Sequence, residues 1–174
     1  MISRELLEDL FAHMEWADAT LWHAVNALPE AVADVGIKDR LFHIHFTQYA
    51  FLEAWQGASF KRMKSEDFAS LADVYAWMRP YYASLKEFVQ SLDEERLNAP
   101  MTIPWAGYYG RQLGREVGVT TLGETLFQVC SHSVHHRAQV NLQLREHGGK
   151  PPLIDYIAWL WSGRPAPAWD DVQD

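Results

Sequence analysis

The stretch TLGETLFQVCSHSVHHRAQVNLQLREHGG, residues 121–149, decides how the rest of the chain is organised. At its start, Thr121 and Glu124 have the spacing of a capping box, in which each side chain accepts a hydrogen bond from the other residue's backbone amide. At its end, Gly148 and Gly149 permit the left-handed turn that stops a helix. Apolar residues spread over a broad arc between these ends. The stretch is therefore predicted to be one long core helix that packs on two or more neighbours.

Three histidines fall within two turns of this predicted helix. His132 and His136 are four residues apart, so their rings project from one face, where two imidazole nitrogens can meet one metal ion. His135 lies about 100° from His136 and about 60° from His132 around the helix, so it borders that face without completing a site. Because an HxxxH pair also occurs by chance in helices, a metal site requires a third ligand from another part of the chain.

Length and composition indicate one folded domain that covers residues 1–174. Apolar residues make up 48% of the chain, and 8 Trp, 7 Tyr and 8 Phe are enough for an aromatic-rich core. The net charge of −8 and the absence of a Lys and Arg cluster argue against nucleic acid as a partner. Cys130 is the single cysteine, and neither a secretion leader nor a membrane-spanning apolar run is present. The expectation is a cytoplasmic protein without a membrane partner.

Helical periodicity predicts three further long helices. The first covers residues 4–28 after an N-cap at Ser3, and the second covers residues 38–56. The third follows Ser70 and ends near residue 92, with a kink at Pro80.

Shorter segments complete the prediction. Residues 98–118, rich in Gly and Pro, are expected to form an extended loop or a small hairpin, and residues 152–161 a short C-terminal helix. The predicted fold class is all-α: a four-helix bundle with a short C-terminal helix and a long loop between its third and fourth helices.

The second predicted helix carries two histidines, His43 and His45, which could supply the missing ligand. They lie about 200° apart around the helix, so only one can approach a point shared with the HxxxH pair. The spacing alone leaves both alternatives open.

Four stretches together resemble the DinB superfamily of bacterial helical-bundle proteins, over nearly the whole chain. These are MEWADATLW (14–22), LFHIHFTQYAFL (41–52), TLGETLFQVCSHSVHHRAQ (121–139) and GGKPPLIDYIAWL (148–160). The most specific feature is the HxxxHR-x-Q arrangement formed by His132, His136, Arg137 and Gln139.

This resemblance implies a bundle, frequently a homodimer, that holds a divalent metal ion with one His of the second helix and both His of HxxxH. In the family's second helix, a polar residue lies five positions after the ligand and large apolar residues lie eight and nine positions after it. His43 fits this pattern, whereas His45 would place Glu53 at an apolar position. The resemblance therefore selects His43, His132 and His136 as metal ligands, with His45 as the alternative to His43.

Three neutral imidazoles leave at least one coordination position open, which is typical of catalytic rather than structural sites. Imidazole ligands suit zinc, nickel, copper or ferrous iron; zinc or nickel is expected first, with iron as an alternative. Gln48, Gln139 or a backbone carbonyl is expected to accept a hydrogen bond from the other nitrogen of each ring. Cys130 lies about 200° from His132 on the helix, so we expect a buried packing residue rather than a ligand.

Three functions are compatible with such a site. The first is a metal-dependent thiol S-transferase, an activity found among DinB relatives, in which a low-molecular-weight thiol loses its proton and attacks a small-molecule substrate held by aromatic residues of 105–109. The second is a hydrolase, which needs a general base from Asp18, Glu53, Glu124 or Asp155. The third is a non-enzymatic metal-binding or stress-associated module.

Overall fold

Helices account for nearly all regular structure in residues 3–169, the part of the chain that the computed structural model describes. The helices in this range are α1 (Arg4–Asn26), α2 (Pro29–Val32), α3 (Val35–Trp55), α4 (Leu71–Met78), α5 (Tyr81–Gln90), α6 (Glu94–Asn98), α7 (Ala106–Leu113), α8 (Leu122–Glu146) and α9 (Tyr156–Trp161). Two short strands, β1 (Pro100–Met101) and β2 (Thr120–Thr121), pair antiparallel. The predicted all-α bundle is confirmed. Nothing in the described range is both long and apolar enough to cross a lipid bilayer.

The bundle is organised around α8, which packs along α3 and α1. The fourth position is filled by α4, which packs on α3, and by α5, which packs on α1. The side chains between these helices are apolar and fully buried, and removing them from water supplies most of the stabilisation. Residues with no exposed surface include Leu7, Leu21, Val25, Ile37, Val74, Leu126, Val129 and Val140.

Both ends of α8 follow the prediction. The Thr121 hydroxyl accepts a hydrogen bond from the Glu124 amide at 3.2 Å, and the Glu124 carboxylate accepts one from the Thr121 amide at 2.7 Å. Gly148, just beyond the helix, has a φ of 79°, a left-handed conformation that glycine adopts without strain. These local contacts fix where the helix begins and ends.

The expectation that α8 is a core helix holds for only part of its circumference. Phe127, Val134 and Leu142 lie at helical spacing, and 48%, 53% and 55% of their side-chain surfaces are exposed. Phe127 and Val134 of this exposed apolar stripe line a groove together with Leu10, His13 and Met14 of α1.

The third predicted helix is two helices rather than one kinked helix. Its N-cap at Ser70 is confirmed, since the side chain accepts a hydrogen bond from the Asp73 amide. The break falls at Arg79 and Pro80, because proline has no N–H to donate and its ring clashes with the preceding turn. With a φ of −63°, Pro80 suits the start of α5.

Residues 98–118 contain more structure than the predicted loop or hairpin. The β1–β2 pair closes the segment at its base, and α7 lies between the strands. Trp105, directly before α7, packs edge-on against Phe51 and Phe60. This tertiary packing anchors a helix that its glycines would disfavour, and Gly114 ends the helix with a φ of 64°.

A buried polar network connects the four long elements of the bundle. The Arg137 guanidinium donates to the Asp18 carboxylate at 2.7 Å, and Gln48 and Tyr82 each donate to the same carboxylate at 2.8 Å. Burial alone would raise the pKa of Asp18, but the positive charge of Arg137 and these hydrogen bonds outweigh it and lower the pKa. Asp18 is therefore an ionised core residue that joins α1, α3, α5 and α8.

Candidate metal centre

Three histidine side chains meet on the surface where α3 and α8 lie side by side. His43 on α3 approaches His132 and His136 on α8, and each offers a ring nitrogen within 4.8 Å of the others. The Nε2 atoms of His43 and His132 are 3.2 Å apart. The ring centroids of His43 and His132 lie 4.4 and 4.3 Å from that of His136. These residues, the three-His cluster, form one compact group of nitrogen donors.

The antiparallel pairing of α3 with α8 places these residues together. Near one end of the pair, His147 contacts the Asp34 carboxylate at 2.6 Å. Toward the other end, the Trp55 indole donates to the Thr125 hydroxyl at 2.9 Å. His43 lies between these two contacts on α3, so the helix register brings it opposite the HxxxH pair.

The spacing of the ring nitrogens fits a metal ion. A tetrahedral site with zinc–nitrogen bonds of about 2.0–2.1 Å places its ligand nitrogens about 3.3 Å apart. The 3.2 Å between His43 and His132 is close to that value. His43 is exposed, while His132 and His136 are half-buried, so the cluster is open to small molecules from solvent.

Partial burial of the rings favours the neutral form of all three imidazoles. It lowers the pKa of His132 to about 4, with further lowering by the neighbouring His136 and His43. Burial is also the main cause that lowers the pKa of His43 and of His136, and the positive charge of Arg40 contributes to both. Neutral imidazole is the form that binds metals, so the cluster is ready for a cation at neutral pH without losing protons.

Gln139 fixes the proton position on His136. Its side-chain oxygen lies 2.8 Å from His136 Nδ1 and accepts a second hydrogen bond from Arg40 Nη1 at 2.7 Å. Because an amide oxygen only accepts, Nδ1 of His136 carries the proton and Nε2 keeps a free lone pair. The Gln139 amide nitrogen, in turn, lies 3.1 Å from His135 Nε2. Gln139 was one of two glutamines predicted to orient a ring.

His45 and the other predicted glutamine, Gln48, lie on the opposite side of α3, in the core. The Trp22 indole donates to His45 Nε2 at 2.9 Å, and His45 Nδ1 lies 3.0 Å from the Gln48 side-chain oxygen. Both ring nitrogens are therefore occupied, and only 2% of the residue is exposed. The structure thus brings His43, and not the alternative His45, to the HxxxH pair, and Gln48 orients His45 instead of a cluster ring.

Other candidate residues lie outside the cluster. Cys130 is buried, as predicted, and burial raises the pKa of its thiol to about 12, so it is an inert packing residue. His135 is exposed and borders the cluster, its ring centroid 4.8 Å from that of His136.

The four carboxylates considered as general bases are also accounted for. Asp18 belongs to the core network, Glu124 caps α8, and Asp155 is the N-cap of α9. Glu53 lines a cleft beside Tyr49. It is not part of the group of metal-binding side chains found in residues 3–169.

The aromatic residues predicted to hold a substrate pack mainly on other aromatic rings. Trp105 is half-buried against Phe51 and Phe60, while Tyr108 and Tyr109 contact each other with ring centroids 5.5 Å apart. Two grooves on the protein, of about 370 and 660 Å³, are lined by residues outside the three-His cluster. The cluster is therefore identified by its side-chain chemistry and not by the size of a cleft.

Sequence reasoning did not assign a role to Arg40, which contacts Gln139 beside the cluster. Its spacing offered a clue, since Arg40 precedes His43 by three residues and Gln139 follows His136 by three. Residues three apart on a helix are neighbours, so both positions border the ligand face.

Comparison with known proteins agrees with the fold. The DinB family model matches residues 1–170. The chain is also similar to the uncharacterized protein YizA of Bacillus subtilis (strain 168), with 24% identity over 118 residues, which cover 67% of this chain and 68% of that protein. With a family match over almost its full length, the chain belongs to the DinB family.

Proposed function

We propose that this protein, acting as a single domain over residues 1–174, binds a divalent metal ion through His43, His132 and His136 and is a metal-dependent thiol S-transferase. The observation that carries the proposal is the meeting of three neutral imidazoles from α3 and α8, with the Nε2 atoms of His43 and His132 at 3.2 Å. Zinc or nickel suits three nitrogen ligands, and ferrous iron is the alternative.

The protein's own residues would contribute position, protonation state and access. Gln139 holds the His136 proton on Nδ1, and the lowered pKa of each ring favours its neutral form. His43 is exposed, so a low-molecular-weight thiol can approach the cluster from solvent. A bound divalent ion would supply Lewis acidity, which favours the thiolate form of a nearby thiol at neutral pH, with the thiol proton released to solvent. Transfer would then form a sulfur–carbon bond on a small electrophile and release its leaving group.

The position of the carboxylates favours thiol transfer over hydrolysis. A hydrolase of this type needs a general base within hydrogen-bond reach of the attacking water. Among residues 3–169, the side chains that come together as a potential metal site are histidines alone, without Asp or Glu. A thiolate requires no such base once it has formed. The observed cluster of histidines therefore suits thiol transfer better than hydrolysis.

We also propose that the protein forms a homodimer through an apolar surface on α8 and the C-terminal segment. Besides the stripe on α8, this surface includes Leu153, Ile157 and Trp161, which are 71%, 48% and 81% exposed. Large exposed apolar groups of this kind are typical of interfaces. Light scattering at micromolar concentration should give the mass of two chains, and a monomer mass would contradict the proposal.

The test of the proposed activity is turnover with a panel of low-molecular-weight thiols and alkylating electrophiles. The metal-loaded protein should consume thiol and electrophile in equal amounts, and His136→Ala should lose this activity. If the protein binds one equivalent of metal but accelerates no reaction in the panel, the transferase assignment is wrong and a metal-binding module replaces it.

A further inference from the structure

Arg40, an arginine with no carboxylate partner among residues 3–169, lies beside the three-His cluster. Arg40 is half-buried on α3, one turn before His43. Three arginines of the described chain, Arg4, Arg137 and Arg164, form ion pairs with carboxylates. The contact found for Arg40 within residues 3–169 is instead its 2.7 Å hydrogen bond to the neutral side chain of Gln139.

The contact found for Arg40 within residues 3–169 leaves its positive charge without a carboxylate to balance it. The three-His cluster contributes no negative charge, and a divalent cation there would add to the charge of the guanidinium. A bound anion would balance it.

Gln139 orients the guanidinium of Arg40 but leaves other N–H donors of the group unused. Gln139 accepts from Nη1 and so holds one end of the group next to His136. A guanidinium has five N–H donors in a planar fork, which matches the two oxygens of a carboxylate. The donors that Gln139 does not use are available to a ligand, and each hydrogen bond to a carboxylate would be charge-assisted.

We infer that Arg40 binds the carboxylate of a thiol ligand whose sulfur occupies the three-His cluster, so that the site selects acidic thiols over neutral ones. The inference rests on the proposed function, because the cluster must hold a metal ion for the sulfur to bind. It adds a substrate class, since a carboxylate a few atoms from the sulfur can reach from the cluster to the neighbouring guanidinium.

The experiment compares two thiols of equal size on the cobalt-loaded full-length protein. The probes are 3-mercaptopropionate and its amide, 3-mercaptopropanamide, and visible absorption of the cobalt ion reports binding. The parent protein should bind the carboxylate about tenfold more tightly than the amide, the gain expected from a hydrogen-bonded charge pair. Arg40→Gln should abolish this preference, whereas Arg4→Gln, which removes the same charge at the start of α1, should retain it.

The outcomes separate the inference from the proposed function. Equal affinity for the two thiols in the parent protein, or an unchanged preference in Arg40→Gln, would overturn the role of Arg40 while the metal site stands. Failure of the parent protein to bind cobalt would overturn the proposed function and this inference together. Since the preference is a ratio within one variant, a change in metal affinity caused by the substitution does not affect it.

Discussion

Gln139 is the residue on which the orientation of a cluster ring depends most directly. Its oxygen accepts from His136 Nδ1 and from Arg40, so one side chain sets the tautomer of a candidate ligand and places a cation beside it. Groups that orient metal-binding histidines commonly influence affinity almost as strongly as the ligands. Gln139 was one of three acceptors considered from the sequence, and its i, i+3 spacing from His136 explains why the two side chains meet on the helix.

Replacement of Gln139 by Ala should weaken metal binding by about tenfold to a hundredfold, because His136 loses the acceptor that holds its proton on Nδ1. Competition with a chromophoric chelator measures the affinity. Gln143→Ala is the matched control, since Gln143 lies one turn further along α8 and its side-chain oxygen has no hydrogen-bond partner among residues 3–169. Equal affinities in both variants would show that Gln139 does not orient the ligand.

Other residue roles could not be predicted because they depend on contacts between helices. The 200° between His43 and His45 showed only that one of them approaches the HxxxH pair. The family pattern selected His43, and the structure places it there. The charged pair Asp18 and Arg137 was not predicted, because no local spacing reveals a partner 119 residues away.

At the level of elements, helix ends were predictable where caps are local. The capping box at Thr121 and the N-caps at Ser3 and Ser70 each involve residues three positions apart, so the sequence displays them directly. The break at Pro80 was predicted as a kink, since proline weakens a helix but tertiary packing decides whether it continues. The helix α7 was missed because its anchor, Trp105, packs against distant parts of the chain.

The buried network gives a prediction about how the helices hold together. Arg137→Met should destabilise the protein by about 3–5 kcal/mol, because it leaves the Asp18 carboxylate buried without its ion-pair partner. Urea unfolding measures the free energy. The control is Arg145→Met on the same helix, where the side chain is exposed. If the two variants were equally stable, Asp18 and Arg137 would not be a structural pair.

For the whole molecule, buried histidines link stability to pH. Burial is the main cause that lowers the pKa of His13 and His45, as it is for the three-His cluster. In the unfolded chain these groups titrate near pH 6.5, so unfolding below that pH takes up protons. The stabilisation is therefore complete above about pH 6.5 and is lost as the pH falls toward the lowered values. Asp18, whose pKa is also lowered, acts in the same direction below about pH 4.

The metal-free protein should consequently lose stability between pH 7 and pH 5, by about 1.4 kcal/mol per pH unit for each proton taken up on unfolding. Urea unfolding at pH 7, 6 and 5 gives the slope. A free energy of unfolding that stays constant over this range would contradict the burial of neutral imidazoles.

The central claim is that His43, His132 and His136 hold a metal ion, and elemental analysis of protein purified without a histidine tag tests it most directly. The parent chain is compared with His43→Ala, His136→Ala and His45→Ala, each as purified and after reconstitution with zinc or nickel. The parent should hold close to one equivalent of metal, and His43→Ala and His136→Ala should lose it. The folded fraction of His45→Ala should retain the metal, since His45 bonds to Trp22 and Gln48 in the core. A parent protein without metal after reconstitution, or a His136→Ala variant that binds metal as well as the parent, would contradict the central claim.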